Sequence, residues 1–414
     1  MNSIIIKRKS LLYFLAFIAL LIAPFLSTYI PIMSSVDEML AVFGMILIVC
    51  NYIVKKKCGD RAILCLLLLI ELIGIVSTCI SKLSPSFIVT MYDMVIFAKP
   101  FVVFLMFLGL PNTIKSEILA MLSVLAKIIF WFTFVYFAIF SITEQRILSD
   151  VLPILGNVAQ VSWLRVVCLN IIAITNKRNI TKRYIILFYI SLFMTGIDGF
   201  ASALFAALTL FLYLYRSNKE RKLKIWQIIL LALVAFVFAY GDLQSYIFNQ
   251  YAPRAVLIRY GFVTANHYFP LGSGFASYGS EMAKRYYSKL YYQYGFNNVW
   301  SMSPENNIPG SSVGTLNDCY FGMVIGQYGW VGLCCYIGIL FLMYQAISKG
   351  NNESYSKAML MTTLVTIVSS IMVSNNTSSH FGLCMYAILG LCLLRKSSDK
   401  REYRVEIINN NTGI

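Results

Sequence analysis

The chain has 414 residues, of which 59% are hydrophobic and only 13% charged, with a mean hydropathy of +0.72. Soluble domains carry charge on about a quarter of their residues, so that class is excluded. The formal net charge of +16 raises the question of a nucleic-acid partner, which the placement of the basic residues answers.

Twelve apolar runs follow one another, at about 10–32, 37–54, 62–80, 87–110, 117–141, 153–175, 184–197, 200–216, 225–241, 319–346, 358–374 and 378–395. Roughly twenty apolar residues cross a hydrocarbon core of about 30 Å, so each run is predicted to be a transmembrane helix. The first is read as a retained helix. Its apolar core is too long for a signal peptide, and no small-residue cleavage site follows. The seventh and eighth are short and meet around Ile197-Asp198-Gly199. The predicted fold is an all-α polytopic membrane protein of about twelve helices. Nine spans fill residues 1–241 and three fill 319–395; between them, 242–318 form one large polar loop holding short helices, and 396–414 form a tail.

If the N-terminus is cytoplasmic, alternate loops hold 24 of the 34 Lys and Arg residues. They include Lys7-Arg8-Lys9, Lys55-Lys56-Lys57, Lys177-Arg178, Lys182-Arg183, the Arg216–Lys224 cluster and the Arg395–Arg404 tail. The other side has seven, five of them in the long loop, and Lys99, Lys127 and Arg165 lie within spans. This positive-inside asymmetry predicts both termini in the cytoplasm and the long loop outside. The basicity reports topology and names no nucleic-acid partner. The 242–318 loop contains none of the ten cysteines, and cysteines within spans behave as small hydrophobes, so neither a structural disulfide nor a metal site is expected.

Charge inside a bilayer is costly and is paired or functional. Lys99 and Lys127 are expected to snorkel or to pair with Asp93 and Glu71. Arg165 lies near the middle of its span, too deep to snorkel. A protein-lined cavity would suit it, which makes it a candidate for binding an anionic group. In the tenth span, Gly322 and Gly326 form a small-xxx-small face that predicts close approach of another helix. Such packing would hold Asn317 and Asp318, just before the span, rigidly at the membrane surface.

The long loop is the place to look for chemistry, because connections stay short unless they carry function. It has no GxxxxGK[ST], HExxH, CxxC or Asp-x-Asp pair, which disfavours ATP-driven transport, zinc hydrolysis and nucleotide-sugar chemistry. Arg254 and Arg259 fall on a helix predicted to open at Pro253, a favourable first position. Planar guanidinium groups suit phosphate. Five residues apart, these two point about 140° from one another, so they should not grip the same oxygen atoms. His267 ends that helix, and a site role and a structural one are both open to it. Lys284, Arg285 and Lys289 add positive charge, and Asp318 stands at the loop's exit. Ten tyrosines and Trp300 fall in the loop. Residues such as Tyr287 and Tyr291 could offer platforms to sugar rings, the alternative being an interfacial belt. For Asp318 the alternative to a general base is a helix cap.

The segments Pro253-Arg254…Arg259-Tyr-Gly…Phe-Pro-Leu-Gly-Ser-Gly-Phe, Tyr287-Ser-Lys-Leu-Tyr…Tyr294-Gly-Phe and Leu316-Asn-Asp…Gln327-Tyr-Gly-Trp-Val-Gly resemble the Wzy-type polymerases of bacterial surface polysaccharide. These share a superfamily with the O-antigen ligases. The resemblance covers about residues 253–333; elsewhere only the hydropathy profile matches. It implies a GT-C-like, metal- and cofactor-independent glycosyltransferase in the bacterial inner membrane. Its partners would be the undecaprenyl-diphosphate-linked glycan donor and acceptor, the bilayer and a chain-length regulator protein. Arginines would neutralise the departing diphosphate and a base would take the acceptor hydroxyl's proton. In this reading Asp318 and His267 are the catalytic candidates, and Arg254, Arg259, Arg165, Arg285, Tyr287 and Tyr291 bind diphosphate or glycan. The ligases carry a His-Asn pair where this chain has Asn317-Asp318, and relatives often carry Ser-Arg where this chain has Thr195–Gly199. The first departure favours polymerase over ligase. A flippase or other transporter is the alternative from a different class, and the long loop fits it poorly.

Overall fold

The computed structural model describes residues 8–27, 29–55, 60–143, 158–176, 178–194, 251–308, 314–350, 354–373 and 379–394, with Trp226, Gln244 and Asn249. The predicted eighth span, all of the ninth but Trp226, the Arg216–Lys224 cluster and the 396–414 tail lie outside these residues. Thirteen α-helices are seen among the described residues, and no strand. They are α1 (Arg8–Leu26), α2 (Val36–Lys55), α3 (Arg61–Ser81), α4 (Phe87–Leu108), α5 (Asn112–Thr143), α6 (Val158–Thr175), α7 (Arg178–Met194), α8 (Pro253–His267), α9 (Glu281–Arg285), α10 (Lys289–Gln293), α11 (Tyr320–Lys349), α12 (Ser354–Val373) and α13 (His380–Cys392).

Five stretches are helical, long and apolar enough to cross a membrane: Ile32–Cys50, Arg61–Ser81, Phe87–Leu108, Asn112–Tyr136 and Tyr320–Lys349. Shorter apolar helices accompany them at Ser10–Leu26, Trp163–Thr175, Met359–Val368 and His380–Cys392. Large apolar side chains such as Ile46, Leu68, Leu72, Ile128 and Phe341 face outward, a surface that suits lipid and not water. The chain is a helical membrane protein. Local sequence explains where several helices begin. Asp60 caps α3 by accepting from the backbone N–H of Ala62 at 3.0 Å, and Ser86 caps α4 through Val89. Pro253 opens α8 as its spacing predicted.

α4 is the centre of the bundle. Of its most apolar stretch 72% is buried, against 28% to 39% for the other four long spans, and it packs on α2, α3 and α13. Its Lys99 corrects one expectation. The ammonium pairs with Asp37 and, at 3.3 Å, with Glu38 in the first turn of α2, not with Asp93. Asp93 is instead turned toward the long loop.

That loop has two parts. Residues 253–268, 278–308 and 314–319 form a cap with a core of its own, built from Leu257, Tyr278, Leu290, Tyr291, Phe296, Met302 and Leu316. Between its helices, Pro270–Ala276 form a plug that enters the bundle beside α3, α4 and α11. Phe275 reaches Gly74, seven residues or about 10 Å below the end of α3, and its ring lies 5.4 Å from that of Tyr328. The expected close approach at Gly322 is seen. A Cβ on Gly261 of α8 would lie 2.9 Å from the Gly322 carbonyl, while Gly326 receives the ring of Tyr278.

Candidate functional site

The plug is held by main-chain hydrogen bonds to side chains of the bundle. Ser77 and Ser81 of α3 donate to the carbonyls of Gly272 and Ser273, the latter at 2.7 Å. The Phe275 N–H donates to Thr78 Oγ1 at 2.8 Å and the Ala276 N–H to Asp93 Oδ2 at 2.6 Å. Gln327 Nε2 donates to the same carboxylate oxygen at 3.0 Å. On the other side, the N–H groups of Ser273 and Gly274 donate to the carbonyls of Gly326 and Gln327. Gly329 makes this possible. Its φ of +62° breaks the helical path of α11, and a Cβ there would lie 2.4 Å from the Gly272 nitrogen. Only glycine takes that conformation at such contact without strain.

The plug and the Gly261–Gly322 contact fix the start of α11 relative to the cap, and with it Asp318. Cys319, not Asp318, is the N-cap of α11, accepting from the Gly322 N–H through Sγ. The capping alternative for Asp318 is therefore set aside. Its carboxylate lies 3.9 Å from the Arg254 guanidinium, with side-chain exposures of 40% and 24%. A pair of this length and exposure stabilises the fold by about 1 kcal/mol at most, so stability does not account for it. Next to it, Lys284 donates to the Gly314 carbonyl at 3.1 Å and to Asn317 Oδ1 at 3.2 Å, and Asn317 Nδ2 donates to Glu281. Glu281 and Arg285 extend the group toward α4 and α2, where Lys99 lies within electrostatic reach of Glu281, and Tyr92 within reach of Arg285. Burial pushes the Asp318 carboxyl above its ordinary range, opposed by Arg254 and Lys284. Burial also raises Glu281, opposed mainly by Lys284 and Arg285. Carboxylates raised in this way are better proton acceptors, and the cations around them suit an anionic group.

The structure brings together Asp318, Arg254 and Lys284, with Arg285 nearby, and separates the other candidates. Arg259 is exposed on another face of α8, together with Asn266, whose side-chain oxygen accepts from Trp330 Nε1 at 2.9 Å. His267 is also exposed, its ring 4.7 Å from that of Tyr268. Thirteen residues separate it from Arg254, about 20 Å along the helix, so Asp318 and His267 do not form one catalytic group. Arg165 is 1% exposed and donates to Thr133 Oγ1 at 3.2 Å and to the Thr133 carbonyl at 2.8 Å. Those bonds tie it to α5 in the helical core, away from the loop's arginines. Tyr291 is fully buried and accepts from the Gly279 N–H at 2.7 Å. Tyr287 is half-buried and donates to the Met302 carbonyl at 3.0 Å, and burial pushes its phenol up to about 12. Most of the loop's tyrosines are thus the cap's core, neither sugar platform nor interfacial belt. Tyr251, Phe269, Tyr286, Tyr292 and Trp300 are the loop's exposed aromatics among the described residues. Sequence reasoning missed Glu281, whose signal is faint: an acid directly after Ser280, the N-cap of α9.

Among the described residues no group of three or more His, Cys, Asp or Glu side chains could hold a metal ion. No known protein family matches the chain, and no curated protein matches it in sequence. The likeness to Wzy-type polymerases rests on the quoted motifs.

Proposed function

We propose that this protein is a metal-independent glycosyltransferase of the Wzy type, which joins undecaprenyl-diphosphate-linked repeat units into surface polysaccharide at the outer face of the bacterial inner membrane. The observation that carries the reading is the junction of cap and bundle. There a carboxylate of raised basicity, Asp318, stands beside Arg254 and Lys284, where a lipid-linked substrate could reach it from the membrane. In the proposed step the acceptor hydroxyl oxygen attacks the anomeric carbon of the donor glycan, and Asp318 takes the hydroxyl proton. The bond from that carbon to the diphosphate oxygen breaks with its electron pair. Arg254 and Lys284, with Arg285 near, neutralise the charge that develops there, where preorganised cations are worth most. The positive-inside pattern supports an outward cap and cytoplasmic termini.

Asp318→Asn tests the reading, because it keeps the side chain's shape and removes the base. A general base contributes about 10²- to 10⁴-fold. The variant should therefore produce single repeat units but no long chains on a surface-glycan gel, at normal protein level. Unchanged chain length would remove the role assigned to Asp318, and loss of single units as well would point to a ligase.

A further inference from the structure

Midway along α3, one turn below Gly74, Glu71 is 8% exposed, and neither of its carboxylate oxygens has a hydrogen-bond partner among the described residues. Asp93 of α4 is 2% exposed. Its Oδ2 accepts from Ala276 and Gln327, while its Oδ1 has no partner among the described residues. The same holds for the Gln327 side-chain oxygen and the hydroxyls of Tyr320 and Tyr328, all on α11 and all at most 1% exposed. These groups converge behind the plug. Glu71 lies within electrostatic reach of Asp93, Tyr320 and Tyr328. The Phe97 ring, one turn from Asp93, is 4.5 Å from Tyr328 and 6.4 Å from Tyr320.

Buried polar atoms find partners, and a set of them without any calls for an explanation such as an ion. Acceptors outnumber donors here. Four carboxylate and amide oxygens face two hydroxyls, so hydrogen bonds between the hydroxyls and these oxygens leave acceptors over. Lys99, on the same helix as Asp93, is committed to Asp37 and Glu38. Every donor atom in the set is oxygen, which selects a hard cation over a transition metal. Two N–H groups and the Ser280 hydroxyl already offset part of the Asp93 charge, and there is no third acidic ligand among the described residues. That is a thin shell for a divalent ion.

We propose that this cluster is a binding site for an alkali-metal cation, held between Glu71 and Asp93, with Gln327 Oε1 and the Tyr320 and Tyr328 hydroxyls as neutral donors. Because Asp93 also accepts from Ala276, and Tyr328 packs on Phe275, the bound cation would hold the plug in place. The proposal does not depend on the glycosyl-transfer reading, since its test reads binding alone.

The test is thermal unfolding of the full-length protein in detergent, at constant ionic strength, in sodium, potassium, calcium, magnesium or choline chloride. Sodium or potassium should raise the unfolding temperature saturably, by a few degrees relative to choline. Glu71→Gln and, as a milder change, Tyr328→Phe should weaken that response several-fold. Equal unfolding temperatures in sodium, potassium and choline would overturn the proposal. So would a response that survives both substitutions, or one given only by calcium or magnesium.

Discussion

Cap and plug belong to one loop, yet they are held by opposite means. The cap carries its own apolar core, with Tyr278 and Tyr291 buried at its centre. The plug has almost no core of its own. It is fixed by serine, threonine and aspartate side chains of α3 and α4 that bond to its backbone. The cap is a small folded unit set on the membrane protein, whereas the plug is part of the bundle's interior. Asp318 stands just before α11, paired with the cap's Arg254, while later turns of the same helix hold the plug. Its setting should respond strongly to changes in the plug and weakly to changes on the outer face of the cap.

The largest effect is expected from the plug. Gly272 has φ +80°, and a Cβ there would meet the Gly329 nitrogen at 2.4 Å. Gly272→Ala should cost about 1–3 kcal/mol in backbone strain, with the clash added. It should lower both protein level and unfolding temperature. A Gly272→Ala protein with wild-type unfolding temperature would mean that the plug is not anchored as described.

Next comes a contrast between the two arginines of α8. Arg254→Ala should reduce polymer formation by about 10²-fold or more, as loss of a preorganised charge partner does. Arg254→Lys should be nearly as poor, because the planar fork is lost. Arg259→Ala, on the exposed face, should fall only a few-fold. The reverse order, read from chain length at equal protein level, would move the site to the other face of α8.

The smallest effect is a shift of pH dependence. Burial raises Asp318 and Glu281 above the ordinary carboxylate range. A base with a raised pKa is still protonated just above that range, so activity should climb with pH through the raised value. Lys284 pulls both groups down, so Lys284→Met should move the acid limb of the profile to higher pH. Stability runs the opposite way. A carboxyl raised in the fold favours folding while protonated, and that contribution is lost as pH rises through the folded pKa. An unmoved acid limb in Lys284→Met would separate Lys284 from the base.

Much of this architecture was legible in the residues. Pro253 announced the start of α8, and the glycines of α11 announced a close helix contact. The misreadings share one cause. Aromatic and charged side chains do not reveal their partners in a linear sequence when those partners lie far along the chain. Tyr291 read as a sugar platform because nothing near it in sequence shows that it closes a core. Lys99 was matched with Asp93, the nearer acid, although tertiary packing delivers it to Asp37. Nothing in the Phe-Pro-Leu-Gly-Ser-Gly-Phe segment shows that it is buried, since its anchors, Ser77, Ser81 and Asp93, precede it by more than 180 residues.

That distance has a consequence for biogenesis. Asp93 accepts from Ala276, 183 residues later, and from Gln327, 234 residues later. The first four helices enter the membrane early, carrying a carboxylate whose protein partners have yet to be synthesised. Until the C-terminal third arrives, this carboxylate must stay protonated or be met by water or lipid headgroups. The central helix is therefore completed last, and truncations upstream of residue 327 should be recognised as unfinished by quality-control proteases.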